Sequence, residues 1–297
     1  MTVASAQRRR FGAGSARAAM LGPLALGGVL LVLVPILMTI VLSFLRYNGL
    51  ESPQAAGFDN FARVAADPIF RETLLNTLLF VVVAVPLRLL IATGAALALS
   101  RPGRGAGVAR GLVYVPTVVP DIAFALLWSW VINPITGPFA PWLGASLVAT
   151  PWGARATIVL VASFQIGEAF LVALIARRAI PSSLYEEAAV EGASRWFTFR
   201  HLTLPILLPV LGLLAARDVV VSFQASFVPA LVITDGGPLY ATTFLPVHAY
   251  RTGFEFLRFG PAAVMTLVAL AGAALMVAVM GLTLRAALKR RGGHLLG

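Results

Sequence analysis

The run from Ala18 to Leu45 holds 28 residues without one charged side chain. An α-helix rises 1.5 Å per residue, so about 20 mostly apolar residues cross the hydrocarbon core of a bilayer. Comparable runs recur along the chain, and we place six spans at 18–45, 73–99, 110–133, 156–176, 205–231 and 261–284. Charged residues make up only 12% of the sequence, about half the share of a soluble domain, and the mean hydropathy is +0.89. A soluble globular fold is excluded. The expectation is an all-α membrane protein of six transmembrane helices. The first run is too long for a signal-peptide core and no small-residue cleavage site follows it, so it reads as a retained anchor and first span.

The pI near 11.4 raises the question of a nucleic-acid partner, and the distribution of charge answers it. With the N-terminus inside, the inner segments hold 15 basic residues, among them Arg8, Arg9, Arg10, Arg101, Arg177, Arg195 and Lys289, against six in the outer ones. Arg88 and Arg217 fall within spans. This asymmetry is the positive-inside signature; it expects both termini in the cytoplasm and leaves no basic groove for nucleic acid. Residues 1–17 and 288–297 read as basic tails, the first disordered, around one membrane domain at 18–287. Turn and breaker signals mark the loops: Asn48-Gly49, Ser52-Pro53, Asp67-Pro68, Asn133-Pro134, Pro141-Trp142 and Asp235-Gly-Gly-Pro238. With no cysteine, disulfides and thiolate metal sites are unavailable.

Between spans four and five lies a compact polar segment, 182–205. Ser183-Leu-Tyr-Glu186 fits a capping box, so a short helix is expected from Ser183. Gly192 suits the left-handed position that ends it, and 194–204 reads as a second helix delivering Pro205 to span five. The result is a cytoplasmic helix–turn–helix. Two readings of it stand open. Glu186 could cap its own helix in a solvated connector. Against that, exposed aromatics (Tyr185, Trp196, Phe199) and small Ala residues suit a surface that another protein grips.

This segment resembles the signature loop of the membrane subunits of binding-protein-dependent ABC importers, which runs Glu-Ala-Ala, three residues, Gly, nine residues, Ile, one residue, Leu-Pro. Here Glu186-Glu187-Ala188 is followed after three residues by Gly192, and after nine more by Leu202-Thr-Leu-Pro205. Glu187 replaces the usual Ala, Glu191 the usual Asp and Leu202 the usual Ile. Resemblance to sugar-importer permeases extends through Leu21-Gly-Pro23, Pro35, Gly57-Phe-Asp-Asn-Phe61, Asn76-Thr77, Pro116, Pro120, Trp128-Ser-Trp130, Thr234-Asp-Gly-Gly-Pro238, Tyr250 and Phe254. It favours the member of the permease pair similar to the larger maltose-importer subunit or the first glycerol-phosphate-importer subunit.

The resemblance implies a permease subunit in the plasma (inner) membrane of a bacterium, working as a heterodimer with a second permease. Two ATPase subunits or domains and an extracytoplasmic sugar-binding protein complete the expected assembly. It assigns ATPase coupling to Ser183, Tyr185, Glu186, Glu187, Ala188, Gly192, Ala193, Arg195 and Phe199. No Gly-x4-Gly-Lys-Ser/Thr phosphate loop occurs, so ATP and magnesium are expected in the partner ATPase and no cofactor in this chain. The solute implied is a sugar or related polyol.

Charges within spans are expensive, roughly 2.5–3.5 kcal/mol each at a helix centre, and usually face the bundle interior or a water-filled path. Asp121, Glu168, Arg88, Arg217 and Asp218 are such residues. Internal pairing, for instance of Arg88 with Asp218, is one account of them. Glu168 has another: with Gln165 three residues earlier and Phe164 beside them, it offers carboxylate, amide and ring, the chemistry that reads a sugar. An unpaired Glu168 would disfavour phosphate-bearing solutes, and Arg88 or Arg217 beside the path would reverse that. In span five Ser222, Phe223, Gln224 and Ser226 lie at positions similar to sugar-contacting residues of the family; the alternative is interhelical hydrogen bonding. Asp121 and Trp128 are further path candidates. His201, His248 and His294 lie in unrelated segments, no metal site or hydrolase spacing is evident, and His248 reads as a surface residue. The competing class is a secondary, ion-coupled transporter carrying protons on Asp121, Glu168 and Asp218; inverted repeats would support it, and none is seen.

Overall fold

The computed structural model describes residues 13–139 and 146–292, and it is helical nearly throughout. The first span is α1 (Ala13–Gly28), a π turn (Val29–Leu33) and α2 (Val34–Ser43). Helix therefore begins at Ala13, inside the stretch expected to be a disordered tail; residues 1–12 lie outside the described part. A short antiparallel pair, β1 (Leu45–Arg46) with β2 (Gln54–Ala55), precedes α3 (Asp59–Ala66) and the long α4 (Pro68–Ala98). Asp67 caps α4 by accepting the Ile69 N–H at 2.9 Å, so the Asp-Pro breaker also starts a helix.

Spans three and four are broken. α5 (Ala106–Val118) and α6 (Asp121–Val131) meet at 103°. Val119 and Pro120 are extended between them, because a residue before proline is driven out of the helical region. After α7 (Ser146–Ala149), α8 (Pro151–Ala162) and α9 (Gly167–Arg178) meet at 50°. The spans expected at 110–133 and 156–176 are thus each a bent pair of helices. Among the described residues four helices are long and apolar enough to cross a membrane alone, and six result if each bent pair counts as one. The Pro141-Trp142 breaker lies outside the described residues.

The polar segment folds into α10 (Ser182–Val190) and α11 (Arg195–Thr198), continuing through a π turn (Phe199–Thr203) into α12 (Leu204–Ala225). The separate second helix expected at 194–204 is instead the start of one 40-residue helical run, Arg195–Thr234. It continues from α12 through α13 (Phe227–Pro229) and a further π turn (Ala230–Thr234). Pro205 does not break it. Both this helix and the first span widen to a π turn directly before a proline: Leu204 N–H bonds Phe199 O ahead of Pro205, and Val34 N–H bonds Val29 O ahead of Pro35. A proline supplies no N–H to the ladder, and the slack is taken up one residue earlier. α14 (Leu245–Tyr250) then leads to α15 (Phe259–Gly292).

α4 is the central mast. It packs against α8, α9, α12 and α14, while α15 closes the bundle against α2, α12 and α14. Phe80, Ile158, Phe223 and Phe244 form one buried cluster, and Ala92, Phe170, Leu207 and Leu211 another nearer the polar hairpin. The most apolar stretch of the first span buries none of its side chains, as a helix facing lipid would. At the Pro68 end of α4 the loop before α14 is tied down. Asn76 Nδ2 donates to Tyr240 O at 2.8 Å, Thr77 Oγ1 accepts from Leu245 N–H at 2.8 Å, and Arg155 reaches both Asn76 Oδ1 and Ala241 O at 2.8 and 3.2 Å. His248, expected at the surface, is buried and lies 2.9 Å from Asp67 Oδ2. Asp67 caps α4 with its other oxygen, so the imidazole is drawn in to satisfy the second.

Candidate functional site

Two groups of residues stand at different levels of the bundle, joined by α12. The first is the hairpin. The capping box is not formed: α10 starts at Ser182 behind Pro181, whose side chain caps nothing, so Ser183 is already inside the helix and Glu186 well along it. The far end matches expectation. Gly192 has φ +75°, Gly192 N–H bonds Ala189 O at 3.1 Å and Ala193 N–H bonds Ala188 O at 2.9 Å. This is a Schellman termination, which needs a residue in the left-handed region. Ser194 Oγ then accepts from Phe197 N–H at 3.2 Å and starts the next helix.

The hairpin has an anchored root and an open face. Tyr185, expected to be exposed, is half-buried: its hydroxyl lies 3.0 Å from Thr203 Oγ1 and Arg177 sits 4.1 Å above its ring. With Leu184 it packs on the cluster around Leu207. Ala188, Ala193 and Phe199 are also half-buried, whereas Ser183, Glu186, Glu187, Gly192 and Arg195 are exposed. The open face carries apolar residues that the expected set omitted, Val190 at 90% exposure and Phe197 at 53%, together with Trp196 at 66%. Exposed apolar residues grouped on one face mark an interaction surface where a single one would not, and the position of Val190 two residues before Gly192 was the available signal.

The second group lies where the two broken spans touch. Gln165, in the break between α8 and α9, donates from Nε2 to Asp121 Oδ1 at 3.1 Å, at the start of α6. Gly167 N–H, at the start of α9, donates to Thr117 Oγ1 at 2.8 Å, and a Cβ on Gly167 would come within 2.5 Å of that oxygen. Only glycine permits this approach. Trp128 and Phe164 lie with their ring centroids 4.8 Å apart and their planes tilted by 53°. Asp121, Gln165, Phe164 and Trp128 are thus brought together. Asp121 and Glu168 each occupy the first turn of a helix, where the helix dipole favours a carboxylate.

Two expectations change here. Gln165 and Glu168 do not share a helix face, since Gln165 precedes α9. Nor is Glu168 unpaired: it forms an ion pair with Arg217 of α12, and both side chains are about half exposed. The next residue of α12, Asp218, makes the other pair, with Arg88 buried and Asp218 half-buried. Arg88 meets Asp218 at 3.1 Å and also donates to Ser222 Oγ, linking α4 to α12. Sequence reasoning allowed for this pair, but Glu168 with Arg217 was not foreseen. Of the span-five candidates, Ser222, Phe223 and Ser226 are buried, Phe223 within the core cluster, and Gln224 is exposed.

Comparison with known proteins places these features in context. The family model described as binding-protein-dependent transport system inner membrane component matches residues 89–289. The probable ABC transporter permease protein YesP of Bacillus subtilis is 30% identical over 264 residues, covering 85% of this chain and 84% of the relative. The sn-glycerol-3-phosphate transport system permease protein UgpA of Rhizobium meliloti is 32% identical over 235 residues, covering 76% and 78%. A solved bacterial alginate ABC transporter, in complex with an alginate pentasaccharide-bound periplasmic protein, superposes with a TM-score of 0.76 at 21% identity, covering 92% of this chain and 95% of its counterpart. That likeness establishes the fold.

Proposed function

We infer the following workings for this chain, which belongs to the family of binding-protein-dependent transport system inner membrane components and is a permease subunit of an ABC importer rather than an enzyme. It is a multi-pass membrane protein, with its termini and the 182–205 hairpin on the cytoplasmic side. A partner ATPase, which holds ATP and magnesium, grips the open hairpin face through Val190, Trp196 and Phe197, with Glu186 and Glu187 beside them. A second permease completes the path, and an extracytoplasmic binding protein delivers solute to the loop face tied down by Asn76 and Arg155.

The observation that carries this reading is the 40-residue helical run Arg195–Thr234, continuous through two π turns and a single turn residue at Ser226. It starts at the hairpin, passes Arg217 and Asp218, and ends at the loops. A helix whose hydrogen bonds are internal moves as a unit, so a push on the hairpin displaces the partners of Glu168 and Arg88. The open groups at the broken-helix junction (Asp121, Gln165, Glu168, Arg217, with Phe164 and Trp128) mix donors, acceptors and ring faces. Glu168 and Arg217 cancel in charge. That chemistry suits a sugar or related polyol, and discontinuous helices are where transporters bind solutes. The ion-coupled alternative is set aside with the family assignment.

The docking claim is tested on the open face. Val190→Asp and Trp196→Asp each place a charge in what would become a desolvated contact, and each is expected to lower co-purification of the ATPase subunit by at least about tenfold, roughly the effect of 1.4 kcal/mol, with the chain still in the membrane. Undiminished co-purification of both variants would contradict it.

A further inference from the structure

Three arginines line one cavity at the root of the hairpin, and its walls include no carboxylate. The cavity encloses about 560 Å³ between the end of α4, the end of α9 and the hairpin; Arg101, Arg177 and Arg195 line it with the hydroxyls of Ser100, Tyr185 and Thr203. Among the described residues none of these arginines has an ion-pair partner. Two of them, Arg101 and Arg177, have fixed supports. Arg110 donates to Leu99 O and Arg101 O at 2.8 and 3.0 Å, and Arg178 to Ser100 O at 3.2 Å, so the turn bearing Arg101 is pinned from two helices. Arg177 is held over the Tyr185 ring. Like charges held at one cavity by rigid elements repel unless an anion lies among them, and guanidinium forks match phosphate oxygens better than any other common anion except carboxylate.

We propose that this cavity binds a phosphate group, presented by the headgroup of an anionic lipid or free in solution, and that the bound group braces the hairpin against α4 and α9. The placement at the inner membrane face, where basic pockets between helices meet anionic headgroups, rests on the orientation inferred above. The phosphate chemistry does not.

The test uses the complex with its partner subunits in nanodiscs. One arm adds phosphatidylglycerol to phosphatidylcholine and counts lipid retained by native mass spectrometry; the other titrates inorganic phosphate into phosphatidylcholine alone. Arg101→Gln with Arg177→Gln is expected to weaken whichever probe binds by about 30-fold, on the order of fivefold for each arginine near the surface, and the corresponding lysine pair, which keeps the charge and loses the fork, to weaken it less. Should the double variant fail to assemble, Arg101→Gln alone, at an exposed turn, is expected to show the fivefold loss. Retention of phosphatidylglycerol names the lipid as source, and saturable phosphate binding names the solute. Binding of neither probe, or binding unchanged in the variants while the ATPase subunit dissociates, overturns the proposal and assigns the arginines to acidic residues of that partner. Because the chain has no cysteine, R101C reports the side independently. Reaction with an impermeant maleimide from outside the cell would overturn the orientation and leave the phosphate site standing.

Discussion

Gly192→Val reduces solute uptake to background while the chain still accumulates in the membrane. The reason is backbone conformation rather than space. No atom lies within 4 Å of the position a Cβ would take, yet φ is +75°. An L-residue in that region loses about 1–2 kcal/mol, and a β-branched one fits it worst. Valine therefore shifts the turn out of the left-handed region and breaks the bonds that Gly192 and Ala193 make to Ala189 and Ala188. The face carrying Val190 and Trp196 then no longer meets the ATPase in register, while the spans, which do not depend on this turn, still insert. Asparagine tolerates the left-handed conformation, so Gly192→Asn is expected to keep most of the uptake. Measured rates normalised to membrane-inserted protein decide the matter; normal uptake by Gly192→Val would remove the hairpin from the mechanism.

The second large effect concerns stability. Arg88 is buried and Asp218 nearly so, and the pair joins α4 to α12. Removing one member of a buried pair leaves an uncompensated charge and typically costs about 3–5 kcal/mol. Asp218→Leu strands the more buried partner and is expected to lower the unfolding midpoint of the detergent-solubilised chain steeply. Arg88→Met combined with Asp218→Leu is expected to recover most of the loss, because apolar replacement of both removes the desolvation penalty as well as the attraction. A single variant as stable as the parent would show that the pair is not closed in the folded chain.

Much of this was legible in the sequence for a simple reason: bilayer crossing demands long apolar runs, and runs are local. Span positions, the left-handed Gly192 and the possibility of Arg88 meeting Asp218 all follow from residues read in order. What escaped depends on three-dimensional closure. The 103° bend at Val119–Pro120 was signalled by Pro120, but proline in a membrane helix is compatible with a mild kink too. Glu168 looked unpaired because its partner, Arg217, lies 49 residues away. Tyr185 looked exposed because its hydrogen-bond partner is Thr203, across the hairpin. His248 looked like a loop residue because the cap it completes, at Asp67, is 181 positions distant. The capping box failed for a local reason that sequence could have weighed: Pro181 suits the position just before a helix, and it starts the helix one residue ahead of Ser183.

The most direct measurement is uptake into liposomes containing this chain, with and without its second permease and ATPase, and with the binding protein supplied outside. Accumulation that requires every partner and stops when ATP is withheld is the expected result. Accumulation by the purified chain alone, driven by an ion gradient and indifferent to nucleotide, would contradict it.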